Sequence, residues 1–150
     1  MKTIRIENNF AQVCPGLKIG IIGAQVTNTE TDPRLWEQID DAAAYKIDEI
    51  NKRPAIQATR KAYRSFGKDP NRYRVSSEAL CRRIIRGLGI YRIDTLVDLI
   101  NLVSVRSGYS IGAFDADRIE SGKKEKSSEV SAGAFSISKD SRFTATIKEV

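Results

Sequence analysis

Residues 83–119 read RIIRGLGIYRIDTLVDLINLVSVRSGYSIGAFDADRI, and the fold turns on how this stretch divides. Within it, Leu96-Val97-Asp98-Leu99-Ile100-Asn101-Leu102-Val103 is apolar apart from two residues. Leu, Val and Ile then occur nearly all round a helix from Thr95 to about Arg106, the pattern of a buried element at the centre of a core. Leu99 and Val103 are expected to lie within that buried surface. Asp94 suits the N-cap and Gly108 the end. A strand over Tyr109–Ala113 is expected to follow, and then the compact run Phe114-Asp115-Ala116-Asp117.

Upstream, Ser76 or Ser77 is placed to cap a helix that carries Glu78 in its first turn, reaches about Arg86 and ends at Gly87 or Gly89. Ala79, Leu80, Ile84 and Ile85 should face inward, with Arg82, Arg83 and Arg86 on or beside one outer face. A basic loop, Lys68 to Val75, precedes it around the turn signal Asp69-Pro70-Asn71. The helix before that spans about Ala55–Phe66 and stops at Gly67. Asp32-Pro33 opens a helix predicted to run to Lys52, with Leu35, Ile39, Ala43, Ile47 and Ile50 as its buried stripe and Trp36 beside it.

Leu17 to Val26 is rich in β-branched residues and reads as a buried central strand, its Gly20 and Gly23 suggesting a bulge or close backbone approach. Lys2–Glu7 alternates like a short strand. Beyond Gly122–Ser128, a charged linker, Ser131–Ser138 and Arg142–Val150 suggest a hairpin turning at Lys139-Asp140-Ser141. The fold class expected is mixed α/β (α+β): one domain over 1–150, a small sheet packed by about four helices.

The chain of 150 residues carries a net charge of +6, unevenly spread. Residues 60–92 hold ten Lys/Arg against Asp69 and Glu78, a local +8, which is an electrostatic footprint for polyanions or a solvated basic face. With no histidine, Ser–His and Cys–His devices are excluded. Cys14 and Cys81 match no metal spacing and read as buried thiols; no metal and no cofactor is expected. No apolar run approaches the ~18 residues of a membrane span, and no signal peptide opens the sequence, so no membrane partner and a cytoplasmic location are expected.

Three groups of residues bear on chemistry. Arg72, Tyr73 and Arg74 precede a helix start, where guanidinium forks, a stacking ring and backbone donors suit phosphate; alternatively Tyr73 packs inward and the arginines pair with the acidic first helix. Asp94, Asp98 and Asn101 share one helix face, either as a polar pocket wall or as ties to neighbouring loops. Asp115 and Asp117, two apart, face one side of an extended segment, as an acid/base or metal pair or as turn caps.

The runs Ile111-Gly112-Ala113-Phe114-Asp115 and Asn71-Arg72-Tyr73-Arg74-Val75-Ser76-Ser77-Glu78-Ala79-Leu80, with the apolar helix between them, resemble the B-three/B-four tRNA-binding and editing domain of the phenylalanyl-tRNA synthetase beta subunit. The chain is most similar to the short freestanding members. The resemblance covers about 15–120 and leaves 121–150 unassigned. It implies a PheT/TilS-like fold, tRNA as partner and deacylation of mischarged tRNA as the reaction. The candidate pocket it implies contains Gly112, Ala113, Asp115 and Asn101. Arg72, Tyr73 and Arg74 are the tRNA contacts that the resemblance favours, and the charge of the 60–92 window with the outer-face spacing of Arg82, Arg83 and Arg86 adds these three to one expected positive surface. The family's His-Ala-Phe-Asp turn has Gly112 in place of histidine, so weak or absent editing is expected, with any proton relayed through a tRNA hydroxyl and the oxyanion held by backbone amides near Gly112 and Ala113. The alternative is a non-catalytic binding module for a nucleotide, amino acid or protein partner.

Overall fold

The computed structural model describes residues 6, 8–42, 47–115 and 142–149. In chain order these form α1 (Asn8–Val13), β1 (Lys18–Gln25), α2 (Pro33–Asp41), α3 (Ile47–Ile50), α4 (Pro54–Ser65), α5 (Ser76–Ile85), α6 (Thr95–Ser107), β2 (Ile111–Asp115) and β3 (Arg142–Glu149). The mixed α/β class holds. The strands make one antiparallel sheet in the order β1-β3-β2.

α6 organises the core, but as a two-faced helix and not a buried rod. Its Leu102 joins Leu35, Trp36 and Ile39 of α2, and its Val105 joins Ile50, Ile56 and Cys81. Asp98, Leu102 and Val105 follow i, i+4, i+7 and are buried, whereas Leu99 and Val103, one position along, are 47% and 40% exposed. The expectation of burial all round fails because the helices and β2 cover only one side of the apolar cylinder.

Both ends of α6 are tied. Asp94 Oδ1 accepts from the Val97 N–H at 2.8 Å, the expected cap. Asn28 Oδ1 accepts from the Leu96 N–H at 3.1 Å, and Thr29 O from the Thr95 N–H at 2.9 Å, so the segment after β1 docks on the same helix start. At the far end Arg53 donates to the carbonyls of Val105 and Arg106, and Gly108 closes the helix at φ 81°.

Several expectations are corrected. Among the described residues β1 is an edge strand, not a buried centre: Ile22 is 55% exposed, and β3 takes the central place. A run of β-branched residues reads the same at an edge as at a centre when its cross-strand partner lies far off in sequence. A side chain at Gly23 would meet nothing within 4 Å, so close backbone approach does not explain it. The helix from Asp32-Pro33 starts as expected but closes at Ala42, and α3 is separate. Val75, not a serine, precedes α5; Ser76 opens the helix and the Ser77 hydroxyl is buried without a hydrogen bond among the described residues. Leu80, Ile84 and Ile85 do pack inward, against the cluster of Ile50, Ile56, Cys81 and Val105, but they and Ala79 are only half-buried, and the fully buried residues of α5 are Ser77, Glu78 and Cys81. The return strand spans Ile111–Asp115 instead of Tyr109–Ala113. Arg142–Glu149 is a strand, but one paired with β1 and β2. Lys2–Glu7 as a strand, Ala43 in the helical stripe, Asp117, the linker and the hairpin arm Ser131–Ser138 lie outside the described residues. Cys14 and Cys81 are both free and buried.

Candidate nucleic-acid interface

The loop between α4 and α5 is built by local rules and then fastened from behind. Gly67, at φ 69°, ends α4, and its N–H bonds Arg64 O at 2.9 Å. Asp69 makes an Asx turn: its Oδ1 accepts from the Asn71 N–H at 2.9 Å, and its carbonyl accepts from Arg72 and Tyr73. Arg60, on α4, then reaches across. Its guanidinium donates to Pro70 O at 3.5 Å, to Asn71 Oδ1 at 2.6 Å and to both carboxylate oxygens of Glu78 at 3.0 and 2.8 Å.

Glu78 is the anchor of this arrangement, its side chain 1% exposed. It also accepts from Arg82 Nε at 2.9 Å, and Arg82 Nη2 donates to Asn51 Oδ1 at 2.8 Å. A buried carboxylate held by two guanidinium groups with further acceptors on each is costly to break. Two arginines of the basic window therefore face inward. Neither Arg60 nor Glu78 is marked in the sequence as a site residue, and the Ser76-Ser77 cap pattern gives no sign that Glu78 is buried.

The outward side of the loop differs. Arg72 and Arg74 are exposed, and Tyr73 is 42% exposed. Lys68 Nζ lies 5.2 Å from the Tyr73 ring centroid and Arg72 Cζ 5.5 Å, so two cations gather on one ring. Tyr73 thus does not pack into the core. Lys61 and Arg64, both exposed on α4, extend the positive side toward the loop. Lys68 was not among the sequence-predicted contacts, although it stands beside the turn signal.

The other expected contacts divide. Arg83 donates to the carbonyls of Gly89 and Leu88 at 3.1 and 3.4 Å and stacks on Tyr91, while Arg86 is exposed. The helical arginines are thus not a uniform row of open cations.

The second candidate site sits elsewhere. Gly112, Ala113 and Asp115 lie on β2, and Asn101, half-buried, on the α6 helix that packs against it. A Cβ at Gly112 would stand 3.4 Å from the Phe114 ring, so a larger residue there meets an aromatic edge. Asp98 belongs to the structural ties: it is buried and accepts from Trp36 Nε1 at 2.9 Å and from the Ile93 N–H at 3.3 Å. Burial pushes its carboxyl above the ordinary value, against the two donors that hold it down. Trp36 also lines a cleft of ≈ 330 Å³, together with Ile39, Asp40, Ile84, Ile90 and Arg92.

A profile of the B3/4 domain matches residues 58–140, more than half of the chain, and includes the whole of the clamped loop, α5, α6 and β2. No curated protein and no solved structure matches the chain.

Proposed function

The chain belongs to the B3/4 domain family, the family of the phenylalanyl-tRNA synthetase beta-subunit domain associated with tRNA binding, and on that footing we propose that it is itself a tRNA-binding domain. The observation that carries the reading is the loop at 67–75. Arg60 fixes its backbone to α4 and α5, Lys68 and Arg72 gather at the Tyr73 ring, and Arg74 is exposed beside them in the sequence. A fixed loop gives up little conformational entropy when it meets a phosphate backbone. Arginine forks grip phosphate oxygens, and the tyrosine adds a ring and a hydroxyl.

Inspection of the aminoacyl end is the narrower form of this reading. It would use β2, where the backbone amides near Gly112 and Ala113 would hold the oxyanion. With Gly112 where the family turn has histidine, hydrolysis is expected to be slow, because general-base help is typically worth ~10²–10⁴ in rate.

Filter binding of tRNA across a range of salt concentrations tests the proposal. The expected result is tight binding at low salt that weakens steeply, with a log–log slope of about 0.7–0.9 per phosphate contact. No binding at low salt overturns it and leaves a non-catalytic module for a smaller or protein ligand. Hydrolysis of tRNA for phenylalanine mischarged with tyrosine tests the narrower form.

A further inference from the structure

Loop 86–93 carries a second surface that backbone phosphate contacts do not account for. Gly87 and Gly89 take left-handed conformations, φ 70° and 60°, with open space above each. Ile90 packs inward, but the loop turns its other large apolar side chains outward: Leu88 is 59% exposed, Tyr91 68% and Ile93 59%. Arg83 reaches from α5 to place its guanidinium 4.2 Å from the Tyr91 centroid. That guanidinium is itself held by the carbonyls of Gly89 and Leu88. The ring is thus supported on one face by a fixed cation and open on the other. Alongside, Arg92 lies 4.4 Å over Trp36, and Arg86 is exposed.

An open aromatic face backed by a guanidinium is the chemistry of base stacking. Bases within a duplex hide their faces, so the ligand such a ring takes is an unpaired nucleotide. A protein partner would also cover Leu88 and Ile93, but charge decides against it. Arg86 and Arg92 are exposed on the loop and Arg83 backs its ring, against Asp40 as the one carboxylate lining the adjoining cleft, so the loop favours an anionic ligand.

We propose that loop 86–93 is a stacking platform for unpaired RNA nucleotides, with Tyr91 receiving a base and Arg86 and Arg92 the adjoining phosphates. The proposal rests on the tRNA-binding reading for the source of the nucleotides, but it makes its own measurement possible. Fluorescence anisotropy with a short labelled oligouridine, which has no duplex, reads the platform; a blunt RNA duplex reads the loop at 67–75. Tyr91→Ala should weaken oligouridine binding by roughly 5- to 150-fold, the range of one stacked base. Tyr91→Phe should retain it, and neither should alter duplex binding. Arg72→Ala with Arg74→Ala should do the reverse. Equal oligouridine affinity for the natural protein and Tyr91→Ala overturns the platform. So does a failure to bind oligouridine at low salt; if the duplex still binds, the tRNA reading stands and the apolar loop falls to a protein partner. Oligouridine binding that depends on Tyr91, with no duplex or tRNA binding, keeps the platform and removes the tRNA reading.

Discussion

Arg82 and Arg74 come from one basic window, yet Arg82 is committed to Glu78 and Asn51 while Arg74 stands in an exposed loop. The pair shows that charge density in a sequence does not separate a ligand-binding cation from a structural one. What separates them is a buried acceptor. Glu78 recruits Arg60 and Arg82 because a carboxylate out of water must be paired. Arg72 and Arg74 have no such acceptor in the local turn, where Asp69 spends its side chain on the Asn71 N–H.

The contrast breaks most visibly at Glu78. Glu78→Ala should cost ~3–5 kcal/mol in urea unfolding, since it leaves Arg60 and Arg82 partly buried and uncompensated. A loss under ~1 kcal/mol would mean that the internal arginines are as loosely held as those of the loop. Next in size is the division of α6 into two faces. Leu102→Ala should cost ~2–4 kcal/mol, because it opens the cluster with Leu35, Trp36 and Ile39. Leu99→Ala, at a half-exposed position, should cost less than ~1 kcal/mol; equal losses would restore the picture of a fully buried helix.

Smaller again is Gly108→Ala. Its φ of 81° strains a side chain, and the new Cβ would stand 3.3 Å from the Arg53 guanidinium. A loss of ~1–2 kcal/mol by thermal melting is expected. The smallest effect concerns Asp98. Its folded value is raised above 3.8, so the folded state keeps a proton that the unfolded chain has already lost. The contribution of that proton is fully present below the unfolded value and is lost as pH rises through the folded one. Asp98→Asn should therefore gain on the natural protein, in relative stability, as the medium is taken from acid to neutral; an unchanging difference would show that Asp98 titrates normally.

The local rules of helix ends were legible in the sequence. Asp32-Pro33, Asp94 and Gly108 do what their chemistry dictates. The mixed fold class and the exposed basic loop were legible too. What was not legible is long-range. The place of β1 at an edge depends on β3, whose residues are distant in sequence. Val75 stands before α5, and Glu78 in its first turn is buried against Arg60 and Arg82, a contact that no serine-cap pattern announces. The exposed side of α6 escaped notice for the same reason: an apolar cylinder tells nothing of which side its neighbours leave open. The exposure of Tyr91 is likewise not legible, because an isolated aromatic in a glycine turn carries no motif.

The salt dependence of tRNA binding, measured for Arg72→Ala with Arg74→Ala beside the natural protein, tests the central claim most directly. Both variant positions are exposed, so stability should stay within ~0.5 kcal/mol. If the loop grips phosphates, the log–log slope should fall by roughly 0.7–0.9 for each contact removed, and binding at low salt should weaken. An unchanged slope with an intact fold would contradict the account and move the nucleic-acid surface away from the clamped loop.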